Sequence, residues 1–185
     1  MIKKRLGQLF FGLMGWKLDA SIQPEMKHSL MIAAPHTTNW DFVYTMAAFW
    51  AMGMPFKYFI KDSYTKSIMG WFFHWTGAIG VDRSQRSNLV QHAIDLFRER
   101  EELVILITPE GSRSWAEKWK LGFYHIATGA QVPLTLAYID YEKKIAGVAR
   151  LLYPRGNLHR DLDELQEFYR DFKGKFPENY NPKIH

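Results

Sequence analysis

A histidine followed at a short interval by an aspartate is the first chemical signal in the chain, in Pro35-His36-Thr37-Thr38-Asn39-Trp40-Asp41. The apolar run Leu30–Ala34 reads as a buried strand that stops at Pro35. His36 therefore leaves the end of a strand, and Asp41 falls in the first turn or two of the next helix. A strand–turn–helix path can bring that carboxylate back onto the imidazole. There it would fix the tautomer and make the other ring nitrogen a better base. An alcohol barely ionises near neutrality, and general-base help is typically worth ~10²–10⁴ in rate. Taken alone, the pair also fits a histidine that caps a helix or is buried with a hydrogen bond.

A second stretch, Thr108-Pro109-Glu110-Gly111-Ser112-Arg113-Ser114, follows the continuous apolar run Leu103–Ile107. Gly111 lets backbone approach a ligand closely. Arg113 offers a planar fork for phosphate or carboxylate. Glu110 is suited to orient Arg113 or to hold a ligand hydroxyl. The plain alternative is a tight turn with an exposed ion pair. A third stretch, Gly77 to Arg83, sets Arg83 just past a short strand with Arg86 nearby. Both suit an anionic head group, and both also suit a solvated turn. The fourth, Val132-Pro133-Leu134-Thr135-Leu136, reads as a strand with an edge-type proline at its start and no chemistry of its own.

The elements that position these residues alternate. Asn39 is placed to cap a helix through about Met52, ended by Gly53 and Pro55. Phe56–Ile60 reads as a strand, Tyr64–Trp75 as a helix and Ala78–Val81 as a strand. Asn88–Arg100 is the clearest amphipathic helix, with Leu89, Ala93, Ile94 and Phe97 on one face. Gly122–Gly129 is helical. Val132–Tyr138 and Lys144–Leu152 are strands joined by Asp140-Tyr141-Glu142-Lys143, and Asp161–Phe172 is a last helix. The pattern predicts a single α/β domain with a mostly parallel or mixed central sheet flanked by helices. In such sheets, sites collect beyond the ends of strands.

Bulk composition narrows the chemistry. The 185 residues contain no cysteine, which excludes disulfides and thiol nucleophiles and removes the usual structural zinc sites; no metal is expected. The net charge of +5 suits nucleic acid, anionic lipid or a phosphorylated substrate. No lysine-rich stripe or nucleic-acid module accompanies it, so no nucleic-acid partner is expected. With 7 Trp, 9 Tyr and 13 Phe, the chain leans toward apolar or interfacial contacts. The longest uncharged central runs, Phe42–Phe56 and Ser67–Val81, have 15 residues each, short of the ~20 that a membrane-spanning helix needs.

Together and in this order, the four stretches resemble the glycerolipid acyltransferase superfamily, best known from 1-acylglycerol-3-phosphate acyltransferases. Its His-x4-Asp block is matched by His36 to Asp41. Its Gly-x-Ile-x-x-x-Arg block is matched by Gly77 to Arg83. Its Pro-Glu-Gly-Thr-Arg block is matched by Pro109 to Arg113, with Ser112 for the usual Thr. The fourth block is matched only at Val132 and Pro133, and Leu136 stands where a later proline is usual. The resemblance implies transfer of a fatty acyl group from acyl-CoA or acyl carrier protein to a lysophospholipid hydroxyl, with no cofactor besides that co-substrate. It implies that His36 is the base, that Asp41 orients it, and that Arg83, Glu110, Gly111, Ser112 and Arg113 form the acceptor site. Backbone amides near the Glu110–Gly111 turn are expected to stabilise the oxyanion. Trp40, Phe42, Trp71, Phe72, Phe73 and Trp75 are candidates to line an acyl groove, although aromatics at such spacings are commonly plain core. The same dyad would also serve a thioester hydrolase, with water in place of the alcohol. A non-catalytic binder would leave both blocks unexplained.

Residues 1–20 read as a separate amphipathic segment before an acyltransferase domain at 21–185. Lys3, Lys4 and Arg5 precede Leu6, Leu9, Phe10, Leu13, Met14 and Trp16, mostly at helical spacing. An interfacial helix on an anionic membrane surface and a helix packed on the domain both fit. A signal sequence is disfavoured by Gly7, Gly12 and Gly15 and by the lack of a small-x-small cleavage site. The expectation is a peripheral enzyme at the cytoplasmic face of the membrane, or in the cytoplasm if the helix does not bind lipid.

Overall fold

The structure is a computed structural model that describes residues 2–82 and 86–185, with the backbone alone at 86–88. The continuous apolar runs become the centre of a seven-stranded sheet. β2 (His28–Ala34) lies between β5 (Leu103–Ile107) and β6 (Leu134–Asp140), and it is buried from Ser29 onward. A strand covered on both faces needs such a run. From one edge the order is β1 (Lys17–Ala20), β7 (Ile145–Leu152), β6, β2, β5, β3 (Lys57–Lys61) and β4 (Ala78–Val81). Neighbours are parallel except for the β6–β7 hairpin, so the sheet is mixed, as the alternation of elements predicts.

Successive side chains of a strand point to opposite faces, and the two faces have separate cores. Leu30, Ile32, Leu103, Ile105, Leu134 and Leu136 pack with side chains of α5 (Arg86–Arg98), α6 (Gly122–Ala130) and α7 (Leu158–Tyr169). Met31, Ala33, Val104 and Leu106 face the other way and meet Phe49 of α2 (Asn39–Met52). α1 (Ile2–Met14) lies outermost on that side, against α2.

Three stretches differ from the sequence reading. The N-terminal helix stops at Met14, where Gly15 turns left-handed at φ 66°; Lys17–Ala20 then adds a strand parallel to β7. The expected helix at Tyr64–Trp75 is divided into α3 (Asp62–Thr65) and α4 (Gly70–Thr76). A side chain at Gly70 would meet the Thr65 carbonyl at 2.0 Å, so this tight turn requires glycine. Pro133 sits just before β6, and its carbonyl accepts the Leu30 amide. β6 is an interior strand, not an edge.

Candidate active site

β2 and β5 end on the same side of the sheet, and the chain segments beyond them meet. After β2 the chain crosses Pro35 and enters α2, whose N-cap is Thr38 rather than Asn39. The Thr38 hydroxyl accepts the Trp40 amide, while Asp41 Oδ2 accepts the amides of Thr37 at 2.6 Å and Thr38 at 2.8 Å. This is a capping box with aspartate in the reciprocal position, at a helix terminus that favours negative charge. The same Oδ2 lies 3.3 Å from His36 Nδ1. Local helix capping thus brings the carboxylate to the imidazole. Asp41 is 3% exposed. Its remaining oxygen, Oδ1, accepts the Tyr141 hydroxyl at 2.7 Å. Burial, reinforced by the carboxylate, pushes the Tyr141 hydroxyl far above its usual range, so it stays protonated and donates.

The loop after β5 is tied to this block twice. Glu110 is 6% exposed and accepts the His36 amide with both oxygens, at 2.8 and 3.1 Å. Burial pushes its carboxyl up to about 8; the amide bond opposes the shift, and the Asp41 charge adds to it. Glu110 therefore faces protein rather than Arg113. Arg113 instead donates to the side-chain oxygen of Asn39, the first residue of α2. Gly111 turns the chain at φ 66°, where a side chain would run into Lys120, and its amide donates to the Thr108 carbonyl at 3.1 Å. That amide is therefore engaged within the turn. Ser112 is exposed, and its hydroxyl bonds within the turn to Ser114. Arg83 lies outside the described residues.

Two clefts open on His36. One, of about 420 Å³, runs between α2 and β3 and is walled by Phe42, Tyr58, Phe59, Ile60 and Phe73. The other, of about 600 Å³, runs toward α5 and α6 past Val81, Leu89, Val90, Phe123 and Ile126. His36, Phe59, Leu106, Thr108 and Arg113 border both. Of the aromatics that the sequence puts forward, Phe42 and Phe73 line the first cleft. Trp75 lines a separate hollow at the opposite end of the sheet, and Trp71 is 71% exposed. The chemistry open to this arrangement is proton removal by a held imidazole at the junction of two largely apolar channels.

Sequence reasoning missed Asn39 as the anchor of Arg113, and it missed Tyr141. Tyr141 lies in the β6–β7 turn, and its amide is fixed by the Lys173 carbonyl at 2.9 Å. The turn signal marks the hairpin, but nothing local links position 141 to position 41.

A seven-stranded mixed sheet with a histidine–aspartate pair beyond its central strand defines an α/β domain with a candidate general base at the strand ends. The acyltransferase family model matches residues 18–139, and the chain belongs to that family. It is 30% identical over 95 residues to the 1-acyl-sn-glycerol-3-phosphate acyltransferase of Streptococcus pneumoniae, covering 49% of this chain and 34% of that protein. It is 35% identical over 126 residues to an uncharacterized acyltransferase of Schizosaccharomyces pombe, covering 64% and 43% respectively. The chain thus spans less than half the length of these relatives. The crystal structure of the 1-acyl-sn-glycerophosphate (LPA) acyltransferase of Thermotoga maritima superposes with a TM-score of 0.62. That match covers 88% of this chain and 74% of that one at 12% identity, a likeness of fold.

Proposed function

We propose that the chain transfers a fatty acyl group from coenzyme A or acyl carrier protein to the hydroxyl of a lysophospholipid, with 1-acylglycerol-3-phosphate as the leading acceptor. The observation that carries the proposal is the 3.3 Å approach of buried Asp41 to His36 Nδ1 where two clefts meet. Asp41 holds Nδ1, which leaves Nε2 to take the acceptor's hydroxyl proton. The freed oxygen attacks the thioester carbonyl and forms a tetrahedral intermediate. Collapse breaks the carbon–sulfur bond, and the imidazolium returns the proton to the leaving thiolate. No acyl-enzyme is needed. Arg113, at the border of both clefts, supplies a fork for the acceptor phosphate, a role also assigned to Arg83. The likeness to the 1-acyl-sn-glycerol-3-phosphate acyltransferase of Streptococcus pneumoniae and the apolar walls of the first cleft support this choice of substrates. Each CH₂ buried in such a cleft contributes ~0.8 kcal/mol.

Thiol release from acyl-CoA and acyl carrier protein, followed with and without lysophosphatidate, tests the proposal. Release should require acceptor. His36→Ala should lower kcat at least ~10³-fold with the fold retained, and Arg113→Ala should raise the acceptor KM. Fast release without acceptor would identify a thioester hydrolase instead.

A membrane-surface setting belongs to the same proposal. Ile2, Leu6, Leu9 and Leu13 are exposed along one side of α1, while Gly7 and Phe11 are buried on the other. Lys3, Lys4 and Arg5 accompany the stripe. This pattern suits a helix packed on the domain that also lies on anionic lipid, at a cytoplasmic leaflet. Among the described residues, no helix is long and apolar enough to cross a membrane.

A further inference from the structure

We infer that Tyr141 is a positioning residue for acyl transfer, its hydroxyl holding Asp41 in the one orientation that presents Oδ2 to His36. The inference rests on the dyad proposed above and adds a residue to it. The Asp41 carboxylate has two oxygens with separate partners. Oδ2 accepts the Thr37 and Thr38 amides and faces His36 Nδ1; Oδ1 accepts Tyr141 at 2.7 Å. Rotating or tilting the carboxylate away from the imidazole breaks the tyrosine bond. In a site this buried, a bond to a charged acceptor is stronger than most.

Tyr141 is itself held, so its hydroxyl is a fixed donor and not a mobile one. Its ring meets Trp16 edge-on at 5.0 Å and Tyr44 at 5.7 Å, and its amide is bound to Lys173. Tyr141 lines neither of the clefts that open on His36. It therefore acts through Asp41 and not on substrate. The hydroxyl and the ring are separable. The ring belongs to the packing between α1, α2 and the β6–β7 turn, whereas the hydroxyl reaches the dyad. Tyr141→Phe removes the second and keeps the first.

The test uses the full chain with acyl-CoA and lysophosphatidate. Tyr141→Phe should lower kcat about tenfold, the rate equivalent of one bond to a charged group. Both KM values should stay within twofold, and the thermal midpoint should fall by a few degrees with the fold retained, because buried Asp41 Oδ1 loses its donor. The decisive comparison repeats Tyr141→Phe in an Asp41→Asn background, where the loss should shrink below twofold, as residues acting as one unit require. A kcat within twofold of the parent overturns the inference. So does a rise in KM at constant kcat, or an undiminished loss in the Asp41→Asn background. If Asp41→Asn alone leaves kcat intact, the dyad itself falls, an outcome distinct from the failure of Tyr141→Phe.

Discussion

Two carboxyl groups buried a few ångströms from one histidine are in unlike situations. Asp41 is surrounded by donors, namely two amides, a hydroxyl and the imidazole edge. Glu110 has one amide and little else to offset its burial, and its carboxyl rises to about 8. The consequence for stability has a definite sign. The unfolded chain releases this proton near 4.5, and the folded chain keeps it until about 8. Between those values the native state binds more protons, so its stability falls as pH rises, approaching ~1.4 kcal/mol per pH unit. Glu110→Gln cannot ionise. Denaturant titrations at several pH values should show the Gln variant gaining on the parent from pH 5 to pH 8; parallel curves would refute the burial account. His36, Asp41 and the 109–113 loop were legible in sequence because each chemical group sits in a short block beside a strand end. Tyr141 and the Asn39–Arg113 link were not, since each joins loops brought together only by the sheet.

α1 shows how much of an element's position rests on one residue. It crosses α2 at Gly7, where a side chain would meet the Ala47 carbonyl at 2.3 Å and the Ala51 amide nitrogen at 2.5 Å. Both are backbone atoms and cannot step aside as a side chain would. Gly→Ala favours a helix by about 1 kcal/mol, but overpacking of this kind costs typically ~1–3 kcal/mol. The clash should win, and Gly7→Ala should lower the thermal midpoint by several degrees. Gly12, in the same helix, has nothing within 4 Å, so Gly12→Ala should raise it. Equal shifts in calorimetry would contradict the close crossing. The helix was legible from its spacing of apolar residues. The strand that follows was not, because Lys17-Leu18-Asp19-Ala20 is short and half polar, and it is a strand only by pairing with β7.

At the scale of the whole molecule, the exposed leucines of α1 and the basic residues beside them argue for lipid. Flotation with neutral and anionic vesicles should show anionic preference that weakens with salt. Leu9→Glu with Leu13→Glu should abolish binding without unfolding the chain. Equal partition to both vesicle types, or none, would defeat the membrane-surface setting. The alternation of strands and helices made the layered architecture legible, but the order of strands across the sheet depends on crossovers that no local pattern encodes.

β1 has one more effect. It occupies the outer side of β7, and a side chain at Gly147 would meet the Asp19 backbone oxygen at 1.8 Å, so the two strands lie very close. Cutting the chain at residue 21 would strip this cover and leave a row of unpaired amides and carbonyls along Ile145–Val148. Such a row is a template for another chain. Trimming would give what remains a tendency to stick to itself.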